Sequence, residues 1–405
     1  MKIINPKYIY IDNSFQENLA VAFTDKIEAI DTLDTLRAKY PNATIYQGKN
    51  NSVLYPGFIN THVHLEFSAN KTTLKYGKFM PWLDSVIKNR EELVAKCDNA
   101  RMLKACEEMM ESGVTTFGAI SSFGLELEVC MQTPQKVIFF NELIGSQAST
   151  ADMLYGDFLE RVDASKRAKN GIIPAIAIHS PYSVHPIVLK RAIEVAKSEN
   201  LPISSHFLES QAEREWLEKE SGEFLEFFQK FFSTSKSVTN ISEFIESFDN
   251  IPTHFTHAVQ ATDEELEYLA QKGHSIAHCP RSNRFLGCGR LPIEKLNELG
   301  IPFSVATDGL SSNNSLNIFD ELRSAIMLHH LGSLEKLSNL LIRSVTSVPA
   351  DIFNLNSGKI EIGRDADLVI INLPDEPSSL EDIALQTILH TNKVDSIFIS
   401  GNIRN

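Results

Sequence analysis

Read for its alternation of apolar and polar positions, the chain falls into three stretches. The first 55 or so residues are β-rich: Ile3–Ile11 and Leu19–Ile30 carry β-branched and aromatic residues with turn signals between them. The last stretch is similar, with Gly358–Gly363, Ala366–Leu373 and Val394–Ile403. Between them short apolar runs recur at Leu54–His64, Val114–Ser121, Lys136–Gly145, Ile172–Pro181, Leu201–Ser210, Ile251–Val259, Gly273–Ser282 and Ile301–Gly309. Most lead into a helical pattern, such as Ile187–Glu199, Asp263–Gln271, Ile293–Leu299 and Leu316–Leu331. Eight strand–helix alternations predict a (β/α)₈ TIM barrel.

Helix stops support that count. Asn200-Leu-Pro202, Asn250-Ile-Pro252 and Gly300-Ile-Pro302 each place a C-capping residue and a proline ahead of a strand. The two β-rich ends predict one small β-sandwich-like domain over 1–55 and 351–405, around a catalytic barrel over 56–350. After Ser210 a long helical stretch is expected to run to about Phe248. Phe224, Phe227, Phe228, Phe231 and Phe232 recur there at helical spacing. That pattern reads as a buried helix face or a homodimer contact before it reads as a substrate wall.

Composition narrows the class. A net charge of −14 argues against nucleic acid and against docking on an anionic membrane. Five cysteines at scattered spacing, with no CxxC pair, argue against a disulfide framework or a thiolate zinc site. No apolar run is long enough for a transmembrane helix, and the first residues lack a signal-peptide pattern, so a cytoplasmic enzyme is expected.

Barrel chemistry sits at the C-terminal ends of the strands, so the polar residues that close each run are the candidates. The first run ends in Asn60-Thr-His62-Val-His64. Period-two alternation puts both imidazoles on one face, where they can hold a metal ion, although packed or exposed histidines give the same pattern. The fifth run ends in His206-Phe-Leu-Glu209, the sixth reaches His257, and the eighth ends in Thr307-Asp308-Gly309. Any one of these reads as a hydrogen-bonded strand end. Together they put polar ligands on one rim.

With these motifs the chain resembles the amidohydrolase superfamily, in its mononuclear deaminase branch. The likeness extends to Cys279-Pro-Arg-Ser-Asn283 and to Gly363-Arg-Asp-Ala-Asp367-Leu. It implies metal ligands at His62, His64, His206 and Asp308, a proton-shuttling acid at Glu209, and a water-orienting His257. Binuclear relatives carry a carboxylated lysine after strand four, where this chain has Ile178-His179-Ser-Pro181. One divalent ion is therefore implied, Zn²⁺ or Fe²⁺, with His179 as a contact to the substrate ring.

The implied reaction is hydrolytic deamination of an aminopurine nucleoside. His64-Leu-Glu-Phe67-Ser and Tyr76-Gly-Lys-Phe-Met-Pro-Trp82-Leu are similar to the aminofutalosine deaminases of a menaquinone route. That likeness implies 6-amino-6-deoxyfutalosine as substrate. Phe67 and Trp82 could then supply apolar surface, Arg281 or Arg284 could meet a carboxylate, and Glu142 could meet ribose hydroxyls. A solvated loop arginine or a structural strand-end glutamate is the plainer reading of the last three. His278 and Asn283 are expected to steady their loop. The alternatives are deamination of adenosine, methylthioadenosine, S-adenosylhomocysteine or guanine, a triazine chlorohydrolase, and a catalytically silent binding scaffold. Glu209 speaks against the chlorohydrolase, since chloride leaves without a proton. The full ligand set speaks against the scaffold.

Overall fold

The computed structural model describes residues 1–69 and 72–404; Asn405, the last residue of the expected small domain, lies outside them. Eight parallel strands form one sheet in sequence order. They are β1 (Phe58–Val63), β2 (Val114–Ser121), β3 (Lys136–Leu143), β4 (Ile172–Ile178), β5 (Ile203–Phe207), β6 (His254–His257), β7 (Ser275–His278) and β8 (Phe303–Val305). Each falls inside one of the eight runs read from the sequence. All residues of β1 and β2 are buried, as expected of parallel strands covered on both faces. The last strand returns to the first: the Asp308 amide donates to the His62 carbonyl at 3.1 Å, and the Thr61 and Ser304 hydroxyls meet at 2.6 Å. The result is the expected barrel.

The run Leu54–His64 is not one strand but two. Ser52–Pro56 pairs antiparallel with Leu368–Asn372 in a separate six-stranded sheet, and β1 begins two residues later. Gly57 makes the junction, because a Cβ there would lie 2.1 Å from Thr115 Oγ1. The six-stranded sheet joins Tyr8–Ile11 and Ser14–Glu17 from one end of the chain to Leu368–Asn372, Ser396–Ile399 and Asn402–Arg404 from the other. A four-stranded sheet uses Lys2–Asn5, Ala20–Phe23, Ile27–Asp31 and Thr44–Gln47. Ile4, Val21 and Phe23 of this sheet share one core with Ile9, Leu54, Leu368 and Phe398 of the other, which is sandwich packing.

Packing density divides the chain into two compact units. One comprises Met1–Asn60, Cys106–Phe117 and Asn317–Asn405, the other Thr61–Ala105 and Gly118–Leu316. Every candidate site residue belongs to the second. Among the described residues no helix is long and apolar enough to cross a membrane.

Two of the three expected helix stops act as read: Asn200 and Gly300 cap their helices in the left-handed region, at φ 53° and 69°. Asn250 does not, since the preceding helix already ends at Ser247. The long helical stretch after Ser210 is three helices, α1 (Gln211–Lys219), α2 (Glu223–Phe232) and α3 (Ile241–Glu246). Glu220 and Ser233 break it by turning left-handed, at φ 50° and 53°. On α2, Phe224 and Phe228 are buried while Phe231 and Phe232 are exposed.

Candidate active site

The ends of β1, β5, β6 and β8 bring the expected ligands together. Ligand atoms of His62, His64 and His206 lie within 4.8 Å of one another, as do those of Glu209, His257 and Asp308. The two groups meet at Asp308 Oδ1, which is 3.7 Å from His62 Nε2 and 3.8 Å from His64 Nε2. Two of these positions use left-handed backbone, with φ of 74° at His257 and 57° at Asp308, and so does Leu208, directly before Glu209, at 45°. Such conformations cost of order 1–3 kcal/mol for a residue with a side chain, and they cluster where side-chain direction matters.

A hydrogen bond from His206 settles which of its nitrogens faces the centre. His206 Nδ1 lies 2.7 Å from the His179 carbonyl, an acceptor only, so it carries the proton and leaves the Nε2 lone pair bare. That lone pair is 3.3 Å from His64 Nε2. His62 Nδ1 meets the Thr256 hydroxyl at 3.3 Å, while His62 Nε2 and His64 Nδ1 are buried without a partner. Burial first, then the neighbouring imidazoles, hold His62 well below the ordinary histidine range. Burial and His179 push His206 down to about 3. Imidazole nitrogens gathered around one carboxylate form a donor set that fits a divalent cation.

Asp308 is held for that role. Ser282 and Ser312 donate to its Oδ2 at 2.7 and 2.8 Å, and the Gly309 amide donates to Oδ1 at 2.7 Å. Burial alone would raise its pKa, but His64, His257 and the two hydroxyls outweigh it and keep the carboxylate ionised. Glu209 differs. Burial, then the Asp308 and Glu213 carboxylates, push it well above the usual carboxylate range. Its backbone is fixed by Glu213, whose two carboxylate oxygens accept the Leu208 and Glu209 amides at 3.0 and 2.8 Å. The Glu209 carboxyl lies 3.6 Å from His257 Nε2. Asn283 donates to His257 Nδ1 at 2.9 Å, which leaves the proton on Nε2, facing Glu209.

The expected substrate contacts are placed unequally. His179 packs beside His206 with ring centroids 5.2 Å apart, and its Nδ1 meets Ser180 and Ser183. Phe67 lies 6.3 Å from the His64 ring. The Trp82 indole donates to the Ser311 carbonyl at 2.8 Å, and Phe79 of the same helix lies 5.4 Å away. Glu142 is buried, with Oε1 3.8 Å from His206 Nδ1 and Oε2 accepting from Ser122 at 2.7 Å. Arg281 is buried and donates to Ser315 at 2.9 Å, whereas Arg284 is exposed.

Several supporting residues escape a reading of strand ends alone: Thr256, Ser282 and Ser312, and the buried Glu66, which shares the Ser122 hydroxyl with Glu142. Asn283, expected to steady its loop, also sets the His257 tautomer.

A model of the amidohydrolase family matches residues 53–404, and the chain belongs to that family. The family is metal-dependent, and the groups described above include candidate ligands. Among individual relatives, the chain is 46% identical to the aminodeoxyfutalosine deaminase of Nitratiruptor sp., over 99% of this chain and 98% of that protein. It is 35% identical to the adenosine deaminase of Helicobacter pylori, over 99% and 98%. The crystal structure of H. pylori aminofutalosine deaminase in complex with methylthio-coformycin superposes with a TM-score of 0.94 at 33% identity, covering all of both chains.

Proposed function

We propose that the chain is a hydrolytic deaminase of an adenine-type nucleoside, converting 6-amino-6-deoxyfutalosine to futalosine and ammonia in the cytoplasm. The observation that carries the proposal is the convergence of His62, His64, His206, Glu209, His257 and Asp308 from four barrel strands on one centre. The likeness to the Nitratiruptor enzyme supports the choice of substrate.

In this reading His62, His64, His206 and Asp308 hold one divalent ion, Zn²⁺ or Fe²⁺. When bound, that ion supplies Lewis acidity and makes water nucleophilic near neutral pH. The remaining work falls to the chain. His257, with its proton on Nε2, orients the attacking water. Asp308 accepts a proton from it. Glu209 gives its proton to a ring nitrogen, which makes the amino-bearing carbon electrophilic. It then takes over the proton that Asp308 accepted from water and delivers it to the amino group, which departs as ammonia. Glu209 is restored by the proton released when the new hydroxyl becomes a carbonyl. His179 meets the ring, and Glu142 accepts from ribose hydroxyls. Phe67 and Trp82 supply apolar walls, while the buried Arg281 suits a carboxylate better than the exposed Arg284.

The test is incubation of the metal-loaded protein with aminodeoxyfutalosine, following the purine ultraviolet spectrum and ammonia release. Conversion with stoichiometric ammonia is expected. Absence of turnover on this nucleoside, with turnover on adenosine, would move the substrate assignment.

A further inference from the structure

The segment after β7 addresses three of the site groups one by one. Ser282 donates to Asp308, and Asn283 donates to His257. Five residues further on, the Cys288 thiol lies 3.9 Å from Glu209 Oε1 and donates to it. Among the described residues this is the one hydrogen bond that reaches the Glu209 carboxyl. Cys288 is buried, and its backbone is held on both sides. Its amide donates to the Asn283 carbonyl at 2.9 Å, and the Gln260 side chain donates to its carbonyl. The Gln260 amide in turn donates to the carbonyl of Leu208, directly before Glu209, at 2.9 Å. Gln260 thus ties the thiol-bearing loop to the segment that carries the acid. Gly287 and Gly289 flank the cysteine at φ 68° and 111°. A Cβ on Gly287 would lie 2.4 Å from the Gly77 carbonyl oxygen, so the bend that presents the thiol requires glycine there.

The contact singles out one oxygen. Glu209 Oε1 also faces His257 Nε2, the nitrogen that carries the ring proton, at 3.6 Å. Two hydrogens, one on sulfur and one on nitrogen, are therefore directed at Oε1. A carboxylic acid whose one oxygen accepts in this way carries its own proton on the other. We propose that Cys288 is a positioning residue for Glu209, which makes Oε1 the fixed acceptor and Oε2 the oxygen that hands the proton on. The inference rests on the deaminase reading above. Without the thiol the carboxyl is free to turn about its last bond, which exchanges the two oxygens. A turning carboxyl spends part of its time with the proton out of line, so the chemical step slows while substrate binding is left alone.

The experiment measures kcat and KM for ammonia release from aminodeoxyfutalosine by the metal-loaded wild type, Cys288→Ala, Cys288→Ser, Glu209→Gln and the double variant of Cys288→Ala with Glu209→Gln. Cys288→Ala should lower kcat about tenfold, with KM within about twofold and metal content unchanged. Cys288→Ser keeps a donor and should fall between that variant and the wild type. In the Glu209→Gln background, Cys288→Ala should cost nothing further, because a residue that acts through Glu209 has nothing left to act on. A merely structural cysteine would lower both backgrounds alike, and that result overturns the inference. A Cys288→Ser no better than Cys288→Ala overturns it as well, and so does a wild-type kcat in Cys288→Ala; both leave the deaminase reading intact. No ammonia from the wild type, with this nucleoside or with adenosine, removes that reading, and the inference with it.

Discussion

Two kinds of buried histidine stand on the barrel strands and differ in their hydrogen bonds. His254 on β6 meets Ser275 through Nδ1 at 2.8 Å, and Ser304 and Thr61 through Nε2 at 3.0 and 3.2 Å. Three residues further on the same strand, His257 belongs to the site. One residue after Thr61 on β1 comes His62, whose Nε2 has no partner. Burial is common to both sets, and so is a depressed pKa: burial takes His254 down to about 3, as it does His206. Neither property therefore separates a structural histidine from a ligand. Ring nitrogens that face a shared carboxylate do. The His254 set closes on itself with hydroxyls that can donate or accept, while the His62 set leaves nitrogens pointing at a shared carboxylate.

The largest expected effect tests the acid in the open set. Glu209→Gln keeps the shape and removes the proton, so kcat should fall about a thousandfold with metal content unchanged. Ammonia release and elemental analysis check this, and normal turnover would take Glu209 out of the mechanism. The next experiment sets the two clusters against each other. His206→Ala should lose stoichiometric metal and turnover together. His254→Ala should keep its metal and instead lose about 1–3 kcal/mol in urea unfolding, because three buried hydroxyls lose a partner. The reverse pattern would invert the comparison.

The same contrast explains how much the sequence discloses. The barrel is legible because parallel strands covered on both faces read as unbroken apolar runs, and because Asn200 and Gly300 with their following prolines end helices by backbone geometry. His62, His64, His206, Glu209, His257 and Asp308 are legible as strand-end residues of one rim. The break at Gly57 is not, since apolar residues continue on both sides and only the distant Thr115 makes a side chain impossible there. Nor are the helix breaks at Glu220 and Ser233, where residues with no left-handed preference take that conformation. His254 and His257 cannot be told apart along the chain, because their partners come from other strands and the loops after them.

A smaller effect sharpens the role of those partners. Asn283→Ala frees the His257 ring to change tautomer without touching the expected ligands. Loss of a residue that orients a site imidazole typically costs 10- to 100-fold, and here the loss should appear in kcat with KM little changed. A change confined to KM would make Asn283 a substrate contact instead.

The smallest expected effect is a slope. His254 is neutral when folded, with a pKa near 3, and takes up a proton near the ordinary histidine value of 6.5 when unfolded. Between those values the unfolded state binds more protons, so stability falls as the pH falls, by up to about 1.4 kcal/mol per pH unit for this group. Above pH 6.5 it adds no slope. His62, His206 and His257 contribute in the same direction in metal-free protein, so a bare pH profile does not isolate His254. The difference between wild type and His254→Asn does, because the site is common to both. Urea unfolding of the two metal-free proteins between pH 6 and 4 should therefore diverge, with the shallower profile in the variant. Parallel profiles would mean that His254 is already protonated when folded, and the closed hydroxyl network would then be a charged site rather than a neutral one.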